Sequence, residues 1–188
     1  MRSRVEGQPP REDPRIERTR TRLRQAALDE LVAVGWGGFT VEGVARRAGA
    51  GKASVYRIFG DRTALVLDAF VHLVTQPRAG DGGPPPVRVI LHHLVEGWSD
   101  ALLPALIDAG QRDPALADAL RPSSAARLDG LAAAVAVDLA ARGDDRDAHD
   151  VARALAGSLL YRRLVVPGRL EPADVDAVMT SVLGPPLP

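Results

Sequence analysis

Apolar residues recur along this chain at helical spacing, with no run of alternating β-branched residues. Ile16, Leu23, Ala26, Ala27, Leu31 and Val34 line one side of a helix that Asp13-Pro14 opens and Gly35 closes. Thr40 is an N-cap for a short helix whose stripe is Val41, Val44, Ala45 and Ala48. Gly49 follows at once, where a left-handed residue ends a helix. The next helix, 52–59, turns Val55, Ile58 and Phe59 inward and Lys52, Ser54, Tyr56 and Arg57 outward. Small residues, Ala45, Ala48, Gly49 and Ala53, let these two helices approach closely. Asp61 then caps a connecting helix with Leu65, Val66, Ala69 and Leu73 as its buried stripe. Residues 40–59 therefore read as a helix-turn-helix, whose second helix suits the DNA major groove. Taken alone, the same pattern also describes any helical hairpin.

Beyond residue 77 the pattern breaks and then resumes. Pro77, Gly80, Gly82, Gly83 and Pro84-Pro85-Pro86 permit neither helix nor strand, so a loop is expected at 78–86. Further helices are expected near 87–98, near 102–109 with Pro104 in the first turn, from Asp113-Pro114 to about residue 120, and over 124–141. Another covers 149–166 and is apolar around most of its circumference through Val151, Ala152, Leu155, Ala156, Leu159, Leu160 and Tyr161. The last carries Val175, Val178, Met179, Val182 and Leu183 and closes at Gly184. The fold class is all-α. An arm at 1–12 precedes a head at 13–77, with a larger carboxy-terminal lobe at 87–188.

Charge changes the picture once the chain is divided. Formal net charge is zero overall, yet residues 1–62 hold 13 Arg and Lys against 8 Asp and Glu. The remainder is acidic by the same margin. A basic head on an acidic body fits one lobe for nucleic acid and another for something else. Without cysteine, the chain has no disulfide, thiolate metal site or cysteine nucleophile. No apolar run is long enough for a bilayer, and the start does not resemble a signal peptide. The four histidines, His72, His92, His93 and His149, form no metal-ligand spacing with carboxylates, and no phosphate-binding glycine loop follows a strand. Neither metal nor cofactor is expected, and an enzyme has little to stand on.

The order of a long helix, an aromatic turn (Trp36-Gly37-Gly38-Phe39), a helix-turn-helix and a connecting helix resembles the TetR family of bacterial transcriptional repressors. Ala26-Ala27, Leu31, Gly35, Thr40-Val41, Val44-Ala45, Ala48-Gly49, Val55-Tyr56, Phe59 and Leu65 carry the resemblance, over about residues 17–77. Four positions depart from the family pattern. Gly51 stands where serine or threonine is usual, Arg62 where lysine is, Trp36 where tyrosine or phenylalanine is, and Ile58 where histidine is common. The resemblance implies a cytoplasmic homodimer that binds double-stranded operator DNA and is released by a small effector. On that reading Thr40, Lys52, Ala53, Ser54, Tyr56, Arg57 and Arg62 form the DNA-binding set, with Arg57 and Ser54 reading base edges. The runner-up is a helical sensor or adaptor that does not bind DNA.

Two further sets follow for the carboxy-terminal lobe. A mostly apolar pocket is the default for such a lobe. His92 (or His93), Leu94, Trp98, Leu102 and Leu106 are its candidate lining, and each reads equally well as plain core. The family's habit of dimerising through the last two helices makes Val151, Leu155, Leu159, Val175, Val178 and Val182 the expected interface. The same stripes read alone simply complete a monomer's core.

Overall fold

The structure is a computed structural model that describes residues 14–74, 84–97, 101–166 and 168–185. Asp13, the 1–12 arm, most of the 78–86 loop and the pocket candidate Trp98 lie outside the described residues. Nine α-helices and no strand occur among the described residues: α1 Pro14–Gly38, α2 Val41–Ala48, α3 Lys52–Phe59, α4 Arg62–Val74, α5 Val87–Gly97, α6 Leu102–Arg112, α7 Pro114–Arg142, α8 Ala148–Val165 and α9 Pro172–Leu183. The all-α expectation stands.

Local chemistry explains most of the boundaries. Gly35 leaves helical geometry at φ 66°, ψ 174°, so the straight part of α1 stops there and a short turn carries Trp36 into the core. Thr40 Oγ1 accepts from Gly43 N at 3.0 Å and caps α2, which ends at Gly49 in the left-handed region. Asp61 accepts from Ala64 N at 2.8 Å at the start of α4. Asp113 caps α7 through Ala115 N and Leu116 N at 3.0 and 3.2 Å.

One element differs from expectation. Pro122 does not divide α7; the helix runs unbroken through 29 residues. Proline cannot donate to the carbonyl four residues back, here Asp118. Both Asp118 and Pro122 are exposed, so water can satisfy that oxygen and the helix continues.

Two apolar clusters hold the molecule. The first gathers α1 through α4 around Leu23, Leu31, Phe39, Val44, Val55 and Leu65. It also takes in Leu102, Leu106 and Ala109 of α6 and Leu116 of α7. The second joins α5, the carboxy-terminal half of α7, α8 and α9 through Leu91, Val135, Leu155, Leu159 and Val175. The packing therefore does not divide at the 78–86 loop. Helix α6 belongs to the head's core, which ties the head to the body through shared apolar contacts.

Val151, Leu155, Leu159, Val175 and Val178 are buried in the second cluster of a single chain, and Val182 packs partly buried against it. Val178 and Val182 also line a shallow groove on the outer side of α8 and α9. The apolar stripes of α8 and α9 are already covered by α5, α7 and each other.

Candidate nucleic-acid interface

Helix α3 is held from behind by one fully buried residue, Val55, with Ile58 and Phe59 packed partly against the first cluster. The opposite face is open. Lys52, Ala53, Tyr56 and Arg57 are exposed and Ser54 is half-buried. Gly51 occupies the N-cap position in extended geometry and makes no side-chain cap bond, so the first turn of α3 keeps amides available to an anion.

The cations of this face are not equivalent. Lys52 pairs with Glu42 of α2 across the turn, with its ammonium 5.6 Å from the Tyr56 ring centroid. The Lys52 hydrogen bond holds Glu42 below the usual carboxylate range, and Glu42 in return pushes Lys52 up. Arg57 makes no hydrogen bond or ion pair with any described residue, and its guanidinium is exposed. It keeps its full donor set for a base edge. Thr40 spends its side-chain oxygen on the α2 cap, although its hydroxyl hydrogen remains available.

Arg62, one of the expected DNA-binding set, also has partners within the chain. Its guanidinium lies 4.3 Å over the Trp36 ring, donates to the Phe39 carbonyl at 3.5 Å, and stands 3.9 Å from Asp113 at the cap of α7. Trp36 and Phe39 stack with centroids 5.5 Å apart, and this electron-rich face draws the cation. Arg62 thus links the aromatic turn to the body and is only half-exposed.

Sequence reading passed over the framework behind α2. Glu30 is the one charged residue buried among those described, and Arg47 of α2 answers it through Nε at 2.9 Å and a second nitrogen at 2.8 Å. Gly43 lies where a side chain would overlap the Glu30 carboxylate. Arg24 likewise joins Glu17 and Asp68 at 2.9 and 2.7 Å, fixing α1 to α4. Arg46, exposed beside the turn and unpaired among the described residues, adds a cation to the head's surface. The signal for Arg46 was present: Val41, Val44, Ala45 and Ala48 face inward, so position 46 faces away from them.

The pocket candidates are not brought together. Leu102 and Leu106 pack in the first cluster toward the head, whereas Leu94 packs against the second. His92 lies beside α9, with Nε2 buried, 3.8 Å from Asp176 and without a hydrogen-bond partner. Two shallow surface depressions among the described residues lie at the start of α1 and on the outer side of α8 and α9, away from all four.

Residues 23–69 match the family of bacterial regulatory proteins described as the tetR family, a span that covers the helix-turn-helix and its support. Over that span the chain is similar to the TetR family. A Bacillus subtilis (strain 168) protein, the uncharacterized HTH-type transcriptional regulator YdeS, is 29% identical over 114 residues. That alignment takes in 57% of this chain and 58% of YdeS, so the chain spans little more than half the length of that relative. The TetR-family transcription regulator SCO0332 superposes with a TM-score of 0.56 at 26% identity, covering 90% of this chain and 99% of that one. A TetR transcriptional regulator from Agrobacterium tumefaciens shares the fold, with a TM-score of 0.56 at 24% identity over 89% of this chain and 100% of its own. The TetR likeness therefore extends through the body at the level of fold. No helix among the described residues is long and apolar enough to cross a membrane.

Proposed function

We propose that this chain is a cytoplasmic, DNA-binding transcriptional repressor of TetR type that acts as a homodimer and leaves its operator when a small molecule binds the body. The observation that carries this reading is the outward face of α3. It presents an unpaired Arg57, Tyr56, Lys52 and Ser54 on a helix that is rigidly backed by Val55 and the first cluster. Lys52 and Tyr56 serve phosphates on this reading, and Arg57 reads a base edge.

Homodimerisation is supported by the outer side of α8 and α9. Ala154, Gly157, Ser158, Ala177 and Ser181 line a shallow groove there, next to the exposed Tyr161. Small side chains let a second helix pair approach closely. Effector release requires that the ligand favour one spacing of the two heads over another, since it acts only through differential affinity for the two states. Helix α6 is the natural route, because its inner residues are part of the head's own core.

The test begins with selection of duplexes from a random library, followed by anisotropy titration of the enriched sequence. Paired half-sites about 10 bp apart, or a multiple of that, are expected, with affinity falling steeply as salt rises. A chain that retains no duplex even at low salt is instead a helical sensor or adaptor. For the dimer, Gly157→Glu should give monomers in light scattering and abolish tight operator binding; an intact dimer places the interface elsewhere.

A further inference from the structure

The inward stripe of α7 changes character midway. It runs Leu116, Leu120, Ser123, Arg127, Leu131, and both ends are fully buried leucines. Between them no α7 residue is fully buried, and two of the inward positions are polar. Leu116 and Leu120 pack in the first cluster and Leu131 in the second, so the polar pair stands where the two cores part.

Arg127 is an uncompensated cation. Its guanidinium lies 4.8 Å over the ring of Phe70 on α4, and its Nε is buried with no hydrogen-bond partner. No carboxylate among the described residues answers it. Burial pushes this guanidinium down from its ordinary value, and nothing acidic offsets that. Ser123, one turn earlier on the same stripe, is half-buried and its hydroxyl makes no hydrogen bond with a described residue. Two other inward arginines are matched by carboxylates: Arg24 has Glu17 and Asp68, and Arg142 has Asp138 at 2.6 Å. A withheld counter-charge costs stability, which a ligand carrying that charge recovers on binding.

We propose that Arg127, Ser123 and Phe70 form an anion-recognition site between the two cores, and that the effector is a small organic carboxylate with an apolar body. The planar guanidinium takes the carboxylate in a two-point contact, the Ser123 hydroxyl donates to the same group, and the apolar part lies against Phe70 and Leu120. The stripe supplies a single positive charge among apolar residues, which suits a monocarboxylate better than a doubly charged phosphate. This inference rests on the reading of the body as an effector-binding lobe and names the chemistry of that effector.

The experiment uses the full chain and a fixed panel: octanoate, benzoate and phenylacetate, the corresponding neutral amides, and inorganic phosphate and sulfate. Binding is followed by thermal shift and by calorimetry. At least one carboxylate should bind, its amide about 30-fold or more weaker, and Arg127→Met should abolish that preference. A second measurement needs no ligand. Arg127→Met should raise the melting temperature of the free protein, because it removes a desolvated charge while keeping the length of the side chain. A fall instead would make Arg127 a structural partner of Phe70 and overturn the proposal. So would a panel in which no carboxylate binds, a carboxylate preference that survives Arg127→Met, or phosphate binding as tightly as the carboxylates. Operator affinity is measured on the same preparations. Carboxylate binding through Arg127 with operator affinity unchanged would keep the site and remove the effector reading.

Discussion

The head and the middle of α7 treat a charge in opposite ways. Behind the helix-turn-helix, buried Glu30 is met by two nitrogens of Arg47, and Arg24 is met by two carboxylates. On α7, Arg127 is largely withdrawn from water and meets only an aromatic ring. A third case, Arg57, is also unpaired, but it stands in water, where solvation satisfies it at no cost to the fold. Burial decides which unpaired arginine calls for an explanation. The pairs of the head fix geometry: Glu30 and Arg47 clamp α2 to α1 and so set the angle at which α3 is offered to a partner. The unpaired charge of α7 fixes nothing and leaves a place for an anion.

The sharpest way to break this contrast is to make the head resemble α7. Arg47→Ala strands the Glu30 carboxylate in the core. The cost should approach about 3 kcal/mol, the lower end for breaking a buried pair, because Arg47 itself is partly exposed. That corresponds to a loss of roughly 6–12 °C in melting temperature for a chain of this size, read by calorimetry. Glu30→Gln, which removes the stranded charge, should cost less than Arg47→Ala. Equal costs would mean that the pair is not an electrostatic clamp.

Arg57→Ala tests the arginine that water satisfies. Stability should stay within about 0.5 kcal/mol, while operator binding falls by about 1–3 kcal/mol and specificity relaxes at one position. Anisotropy on operator and scrambled duplexes checks this, and equal losses on both would move Arg57 to a backbone role. Gly43→Ala probes the clamp by sterics, since the new methyl meets the Glu30 carboxylate and lies 3.2 Å from Thr40 Oγ1. The gain in helix propensity offsets part of that strain, for a net loss of about 1 kcal/mol. A gain in stability would show that Glu30 swings aside freely.

The smallest effect belongs to the surface pair of Lys52 and Glu42. Its folded-state carboxylate pKa is lowered, so the pair is intact above the ordinary value of about 4 and is lost only as pH falls through the depressed one. At neutral pH, substitution is therefore the lever. Glu42→Gln releases Lys52 to phosphate and should strengthen binding to all duplexes slightly, with a steeper salt dependence. Unchanged affinity and slope would show that Lys52 lies away from the backbone.

By itself the sequence determined the parts whose causes are local. The Thr40 cap, the Gly35 break, the left-handed Gly49, the Asp61 and Asp113 caps and the outward set on α3 each depend on a few neighbouring residues, and periodicity alone was enough to find them. Tertiary structure decided the rest, because a stripe shows which residues seek cover and not what covers them. Leu155 and Leu159 were expected to face a second subunit, and only the fold shows that they are buried within one chain, where α8 packs on α7 and α9. Two helices were expected, to about residue 120 and over 124–141, but an exposed carbonyl four residues before Pro122 lets α7 run through as one. Only the fold shows that Arg62, expected at a phosphate, also lies beside the Trp36 ring and Asp113, which are far off in sequence. Arg127 drew no reading from the sequence; only the fold sets it at the junction of two cores with no counter-charge among the described residues, and solvation at such a point is set by neighbours that no local pattern contains.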